Sequence, residues 1–275
     1  MWYLIVLGLG IIGKAVLSCV LIGVLTGLMG VFVVRMRLSA IGYSMSHGAF
    51  AGAALGVALS FNPLVTAMVF ATFVAFIIGP VADKARLHAD TITSIVFPLN
   101  MALAFIFLTL TPQIGLTSQV ANVLWGSLIS ITNSDIVFLF TLCAVTLSTI
   151  YFVWKELFSI MFNRKLAEAD GINTRVFVYL IILLSGVVTT LSLKLVGGLL
   201  VYALLFNPAA SALQFLEDMR KVVVVSPIIG VITNLLGLIA SLYLDLPVGS
   251  CIVLVSTLVF ALSVVVSPKR RKTID

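Results

Sequence analysis

The chain has 275 residues, 61% of them hydrophobic and only 9% charged, with a net charge of +6. A soluble globule of that length cannot hide so much apolar surface in one core, so the solvent this sequence is written for is lipid. The excess of positive charge calls for no nucleic-acid partner, because the basic residues are spaced along the chain as membrane-topology signals.

Uncharged apolar runs of about twenty residues, the length that crosses ~30 Å of hydrocarbon, predict spans over 11–34, 39–60, 63–82, 91–110, 135–154, 174–193, 195–213, 222–244 and 248–267. Residues 2–34 read either as one long helix or as an interfacial segment followed by a span, so the expected fold is an all-α polytopic bundle of eight to nine spanning helices. A transmembrane β-barrel would need alternating ten-residue segments, and the sequence has none. The N-terminus has neither a basic n-region nor a small-residue cleavage site, so the first hydrophobic stretch is expected to be retained.

Basic residues follow every second run. Arg35 and Arg37 come after the first, Lys84 and Arg86 after the third, Lys155, Arg164, Lys165 and Arg175 after the fifth, Arg220 and Lys221 after the seventh, and Lys269 to Lys272 after the ninth. Short loops rich in Lys and Arg stay in the cytoplasm. The odd runs therefore travel from outside to inside, with the N-terminus outside and the tail 268–275 inside; only Lys14 and Lys194 break the pattern.

Along the runs, glycines recur at four-residue spacing at Gly23 and Gly27 and at Gly48, Gly52 and Gly56. Such a row is either a face for close helix packing or the lining of a pore. Pro98, Pro208 and Pro227 sit inside runs, where each removes a helical hydrogen bond. The uncharged segment 111–134, with the amphipathic piece Val120 to Ile131, either lies in the outer interface or re-enters the bundle. Cys19, Cys143 and Cys251 are each alone in a run, which argues against a disulfide frame or a zinc knuckle. The sequence contains no phosphate-binding G-x-x-x-x-G-K-[ST] loop, so any nucleotide that drives this chain is expected on another subunit.

Ionisable side chains within spans are the first places to look for function, since burying one costs at least ~2.5 kcal/mol on insertion scales. His47 is the clearest. It lies four residues after Tyr43 on the same helical face, and a neutral imidazole is a good ligand for zinc, manganese or iron; the other reading is an interhelical hydrogen bond. Asp245, in Tyr243-Leu-Asp-Leu-Pro-Val-Gly249, is either an outer entrance residue or the N-cap of the ninth helix. His88 reads as a solvated loop residue, and Asp90 as the N-cap of the fourth helix with Thr91 first inside it. The loop 158–173 predicts two helical turns from Arg164 to Ala169 stopped by Gly171. With apolar Met161, Phe162 and Leu166 beside its charges, it either docks a soluble partner or lies flat on the bilayer.

Several ordered stretches resemble a known family. They are Gly30-Val-Phe-Val-Val-Arg-Met-Arg-Leu-Ser-Ala-Ile-Gly42 with Ser46-His47-Gly-Ala, then Leu124-Trp-Gly-Ser-Leu128, Phe162 to Gly171, Val196-Gly-Gly-Leu-Leu-Val201 with Pro208-Ala-Ala, and Asp245-Leu-Pro-Val-Gly249. In this order they resemble the permease subunit of bacterial ABC-type importers of zinc, manganese and iron. The resemblance implies a single permease domain over 1–275 in the bacterial cytoplasmic (inner) membrane. It also implies cytoplasmic ATP-binding subunits, an extracytoplasmic solute-binding protein and a second copy of the permease or a paralogue. The cargo would be a divalent metal ion, with ATP on the partner, no covalently bound cofactor and no enzyme activity in this chain.

By the same resemblance Phe162, Arg164, Lys165, Leu166 and Gly171 belong to the helix that engages the ATPase, and His47, Tyr43 and Asp245 to the metal path. The family carries an Asp where Tyr43 stands, so of the usual pair only the metal-ligating His47 is present. Two other readings are a permease for a metal chelate, with Tyr43 lining a wider path, and an ion-coupled secondary transporter. The latter normally carries several acids or histidines at mid-membrane.

Overall fold

The computed structural model describes residues 10–110, 131–197 and 201–268. Eleven helices and no strand occur among them: α1 (Ile11–Arg35), α2 (Ser39–Ala58), α3 (Pro63–Ala85), α4 (Ala89–Thr109), α5 (Asn133–Phe152), α6 (Trp154–Phe162), α7 (Arg164–Ala169), α8 (Thr174–Val196), α9 (Val201–Phe215), α10 (Met219–Leu244) and α11 (Val248–Val266). The stretch Leu124 to Leu128, the amphipathic piece up to residue 130 and residues 198–200 within Val196 to Val201 lie outside the described residues.

Seven of these helices, α1, α3, α4, α5, α8, α10 and α11, are long and apolar enough to cross a membrane. Among the described residues this is fewer than the expected eight to nine, and the two helices outside the set, α2 and α9, miss it for separate reasons. Residues 195 and 196 belong to the end of α8, and α9 is described from Val201 over 15 residues, about 22 Å at 1.5 Å per residue. Helix α2 has 20 residues but dilutes its hydropathy with glycines, serines and His47. From Ser44 to Ala54 it is buried throughout, and a helix enclosed by protein is not selected for contact with lipid.

Local chemistry sets the boundaries. Asn62 caps α3, its side chain accepting from Leu64 N at 3.0 Å and Val65 N at 3.5 Å, with Pro63 as the first helical residue. Thr132 and Asp135 form a reciprocal capping box at the start of α5, and Asp218 caps α10. Helix α4 starts at Ala89 with His88 in the N-cap position and Asp90 inside the first turn, two residues earlier than the Asp90 cap expected from sequence. Prolines stand inside α3, α4, α9 and α10, including Pro80.

Lipid supplies no hydrophobic drive between helices, so close backbone approach and interhelical hydrogen bonds hold the bundle. Both are visible along α1. A methyl group on Gly23 would stand 2.7 Å from Val231 Cα, and one on Gly27 would stand 2.7 Å from Pro227 Cα. Beside them Ser226 Oγ donates to Gly27 O at 2.6 Å and Asn234 Nδ2 to Cys19 O at 3.1 Å. The glycines of α2 do the same work against neighbouring helices, Gly52 facing Ala67 and Phe70, Gly56 facing Pro63 and Thr66, and Gly48 facing Val74 and Asn100. They form a packing face.

The basic ends gather as the charge pattern requires. Tyr179 and Arg175 at the start of α8 meet Asp83 at the end of α3. The Arg220 guanidinium at the start of α10 lies 5.7 Å from the Phe158 ring centroid, and Ser267 after α11 donates to Gln214 O at the end of α9 at 3.0 Å. The chain is a multi-pass membrane protein.

Candidate functional site

His47 lies midway along α2 and is 5% exposed. Its Nδ1 is 2.8 Å from the carbonyl oxygen of Tyr43. A carbonyl only accepts, so Nδ1 carries the proton of that bond and Nε2 keeps the lone pair of the neutral ring. The Ser46 hydroxyl, 3.5 Å from the same nitrogen, donates to the same Tyr43 carbonyl at 2.9 Å. The imidazole is thus oriented by its own helix, and Nε2 has no hydrogen-bond partner among the described residues.

Around it the fold assembles aromatic rings rather than acids. Tyr43 stacks at 4.8 Å between centroids, and Phe97 of α4 meets His47 edge-on at 4.6 Å and Tyr43 at 4.6 Å. Tyr202 of α9 meets Tyr43 at 5.3 Å, and Phe206 continues the row at 4.5 Å from Tyr202. Just beside this box, Asn100 donates across the α4–α2 contact to Ser44 O at 3.0 Å, fully buried. No group of three His, Cys, Asp or Glu side chains able to hold a metal occurs among the described residues.

Phe97, Tyr202 and Phe206 were not selected from sequence, since aromatics in apolar runs carry no spacing that ties them to a histidine fifty or more residues away. Asn100, a lone amide within the fourth run, was the available signal and went unused.

Asp245 is elsewhere. It is exposed, takes the left-handed conformation at φ 57° and ends α10 as its C-cap. It does not cap α11, whose N-cap is Pro247. That corrects the capping alternative. The turn is closed by Ser241 Oγ donating to Leu246 O at 2.6 Å, and no described contact joins Asp245 to the rings around His47.

The loop from Phe162 to Gly171 takes its expected shape. The Asn163 side chain accepts from Lys165 N at 3.0 Å and Leu166 N at 3.4 Å, which starts α7. Gly171, at φ +83°, ends it in a conformation that favours glycine. Ala167 is buried beneath, while Phe162 and Leu166, four residues apart, are 79% and 55% exposed. Glu168 accepts from Thr174 Oγ1 at 2.5 Å and pairs with Arg164 Nε at 3.2 Å. The Thr174 hydrogen bond first, then Arg164, hold its carboxyl below the usual carboxylate range.

Residues 9–267 match the model of the ABC 3 transport family. The chain is 29% identical over 261 residues to the manganese transport system membrane protein MntC of Listeria innocua, covering 95% of this chain and 92% of that protein. It is 28% identical to the high-affinity zinc uptake system membrane protein ZnuB of Haemophilus influenzae, with 92% and 96% covered. Among solved structures, PsaBC from Streptococcus pneumoniae in complex with Fab superposes with a TM-score of 0.83 at 25% identity, covering 96% of this chain and 94% of that one. An inward-facing putative metal-chelate type ABC transporter shares the fold, with a TM-score of 0.75 at 18% identity, over 91% and 84% of the two chains. A family match that runs over nearly the whole chain places it in the ABC 3 transport family.

Proposed function

We propose that this chain is the permease subunit of an ATP-driven importer of divalent metal ions, acting as a single domain over 1–275. Alternating access would be powered by separate cytoplasmic ATPase subunits, with an extracytoplasmic solute-binding protein delivering cargo to a pair of permeases. One observation carries the reading: α7, in a chain without a phosphate-binding loop, is capped at both ends, and its Leu166 stands exposed beside the likewise exposed Phe162 at the end of α6. Relatives named for manganese and zinc transport over nine-tenths of the chain support the cargo class. In this reading α2 and α9 complete a nine-helix membrane domain, short or polar because protein surrounds them.

His47 is proposed as the weak ligand on the path, with Tyr43 beside it and Asp245 at the outer entrance. A single imidazole suits conduction, which needs departure as much as arrival. The aromatic box favours a second reading, in which the cargo is a metal chelate whose organic shell packs on Tyr43, Phe97 and Tyr202.

Proteoliposomes holding permease, ATPase and binding protein test both. Mn²⁺ or Zn²⁺ uptake in His47→Ala is expected to fall at least ~10-fold, the loss of about 1.4 kcal/mol, with Asp245→Ala reduced only at limiting metal. Uptake by the permease alone, without ATPase, would refute the reading. Failure of free Zn²⁺ or Mn²⁺ to compete with a labelled chelate would favour the second cargo.

A further inference from the structure

Helix α7 is not tethered to the bundle by its own chain alone. Arg164 and Glu168 both bond Thr174, the first residue of α8, Arg164 Nε donating to its hydroxyl at 3.2 Å. One residue on, Arg175 Nε lies 3.6 Å from Asp83 Oδ2, and one turn further the Tyr179 hydroxyl donates to the same oxygen. Asp83 belongs to the last turn of α3, some ninety residues earlier in the chain. The Tyr179 ring reaches it by lying flat on Gly79, where a methyl group would stand 2.4 Å from the ring. Between the segments a cavity of about 70 Å³ is lined by Asp83, His88, Arg164, Arg175 and Tyr179, with Leu87 at its wall.

Helix α3 in turn leads to the box around His47. Val74 packs on Gly48 of α2, Ala75 and Met45 close on Gly186 of α8, and Asn100 ties α4 to Ser44. A displacement of α7 thus reaches α2 through Thr174, Arg175 and Asp83, with helix-on-helix contacts that cannot compress.

Taking α7 as the seat of the ATPase, we propose that Asp83, Arg175 and Tyr179 form a latch that makes α7, α8 and α3 move as one body, so that they position the path helices in response to the ATPase. Arg175 and Asp83 are both partly solvated, and such pairs add little to stability. Their use is geometric: one carboxylate oxygen is shared by two donors of α8, which fixes the separation of the two helix ends. Loss of the latch is therefore expected to leave a folded permease that binds its ATPase and wastes nucleotide.

The experiment uses the complete transporter in proteoliposomes, with ATPase co-purification, phosphate release and uptake of Mn²⁺ or Zn²⁺ read on the same preparations. Asp83→Asn and Arg175→Gln are each expected to retain the ATPase and hydrolyse ATP, yet to import at least ~5-fold less cation per ATP, the lower range of allosteric coupling. The double variant is expected to be no worse than Asp83→Asn alone, since that change already weakens the oxygen that Arg175 and Tyr179 share. The exchange Asp83→Arg with Arg175→Asp is expected to restore at least about half of the coupling on the same ground. Uptake per ATP unchanged in the singles, or losses that add in the double, would overturn the latch. The docking seat is judged separately, by co-purification with Phe162→Asp: an ATPase that stays bound there refutes the seat, whereas a seat that holds beside an unchanged coupling ratio refutes the latch alone.

Discussion

A transporter carrying Phe162→Asp together with Leu166→Asp will purify without its ATPase and import no cation above background. Both side chains are already exposed, at 79% and 55%, so replacing them removes no internal contact of weight. Asn163 and Gly171, which shape α7, are untouched. Seated in a partner's cleft, a Phe and a Leu contribute on the order of 1.5 to 3 kcal/mol each. Losing both weakens association by at least ~100-fold, at 1.4 kcal/mol per tenfold, and carboxylates forced into an apolar cleft add a desolvation cost. The permease itself should elute from size exclusion as the wild type does. An ATPase that still co-purifies with this variant would mean that α7 lies on the bilayer surface instead.

Much of the architecture was legible because lipid imposes simple rules. Each of the nine apolar runs is represented by a helix, with ends displaced by a few residues, and the Lys and Arg pattern ordered the ends that the structure brings together at Asp83 and Tyr179 and at Ser267 and Gln214. The end of the α7 turns was readable from Gly171, whose backbone chemistry is local, whereas the Asn163 cap that starts them was found in the structure. The box around His47 was half legible. Tyr43 and His47 share a helix, so their spacing disclosed them; Phe97, Tyr202 and Phe206 arrive from α4 and α9, and nothing in a single sequence records which apolar ring meets which. Asp83 was visible only as one charge in a loop, because its partners Arg175 and Tyr179 lie across the fold. The N-cap alternative for Asp245 fails because the residue instead ends α10 in an αL position at φ 57°, a backbone property that the residue type does not advertise.

On the proposed reading that His47 lies on the path, its aromatic surroundings also constrain what that path can hold. A carboxylate would bind a hard cation by charge; a ring face and a lone imidazole nitrogen bind more weakly and tolerate more shapes. With the Nδ1 proton spent on Tyr43 O, the nitrogen left for a ligand is Nε2, and rotation of the ring would sacrifice a hydrogen bond in a dry place. The site is therefore preorganised in direction but poor in charge, a combination suited to passing an ion that another protein has already selected.

Gly30→Leu is expected to prevent recovery of folded permease, and Gly30→Ala to lower the melting midpoint by about 6 to 12 °C, corresponding to about 3 kcal/mol at 2 to 4 °C per kcal/mol in a chain of this size class. A methyl group at this position would stand 1.8 Å from the carbonyl oxygen of Leu205 and 3.3 Å from Ala209 Cβ. The first obstacle is backbone in the middle of α9, which cannot rotate aside as a flexible side chain would, so the upper end of the usual 1 to 3 kcal/mol overpacking cost applies. Because α9 carries Tyr202 and Phe206, pushing it off α1 also shifts the rings next to Tyr43, and residual Gly30→Ala protein should transport poorly as well as melt early. Gly10→Ala supplies the control, since no atom of the described residues lies within 4 Å of a methyl group there. Fluorescence-detected size exclusion after stepwise heating in detergent reads all three variants. If Gly30→Leu melts with the wild type, α1 and α9 do not approach as described, and the placement of Tyr202 against Tyr43 falls with them.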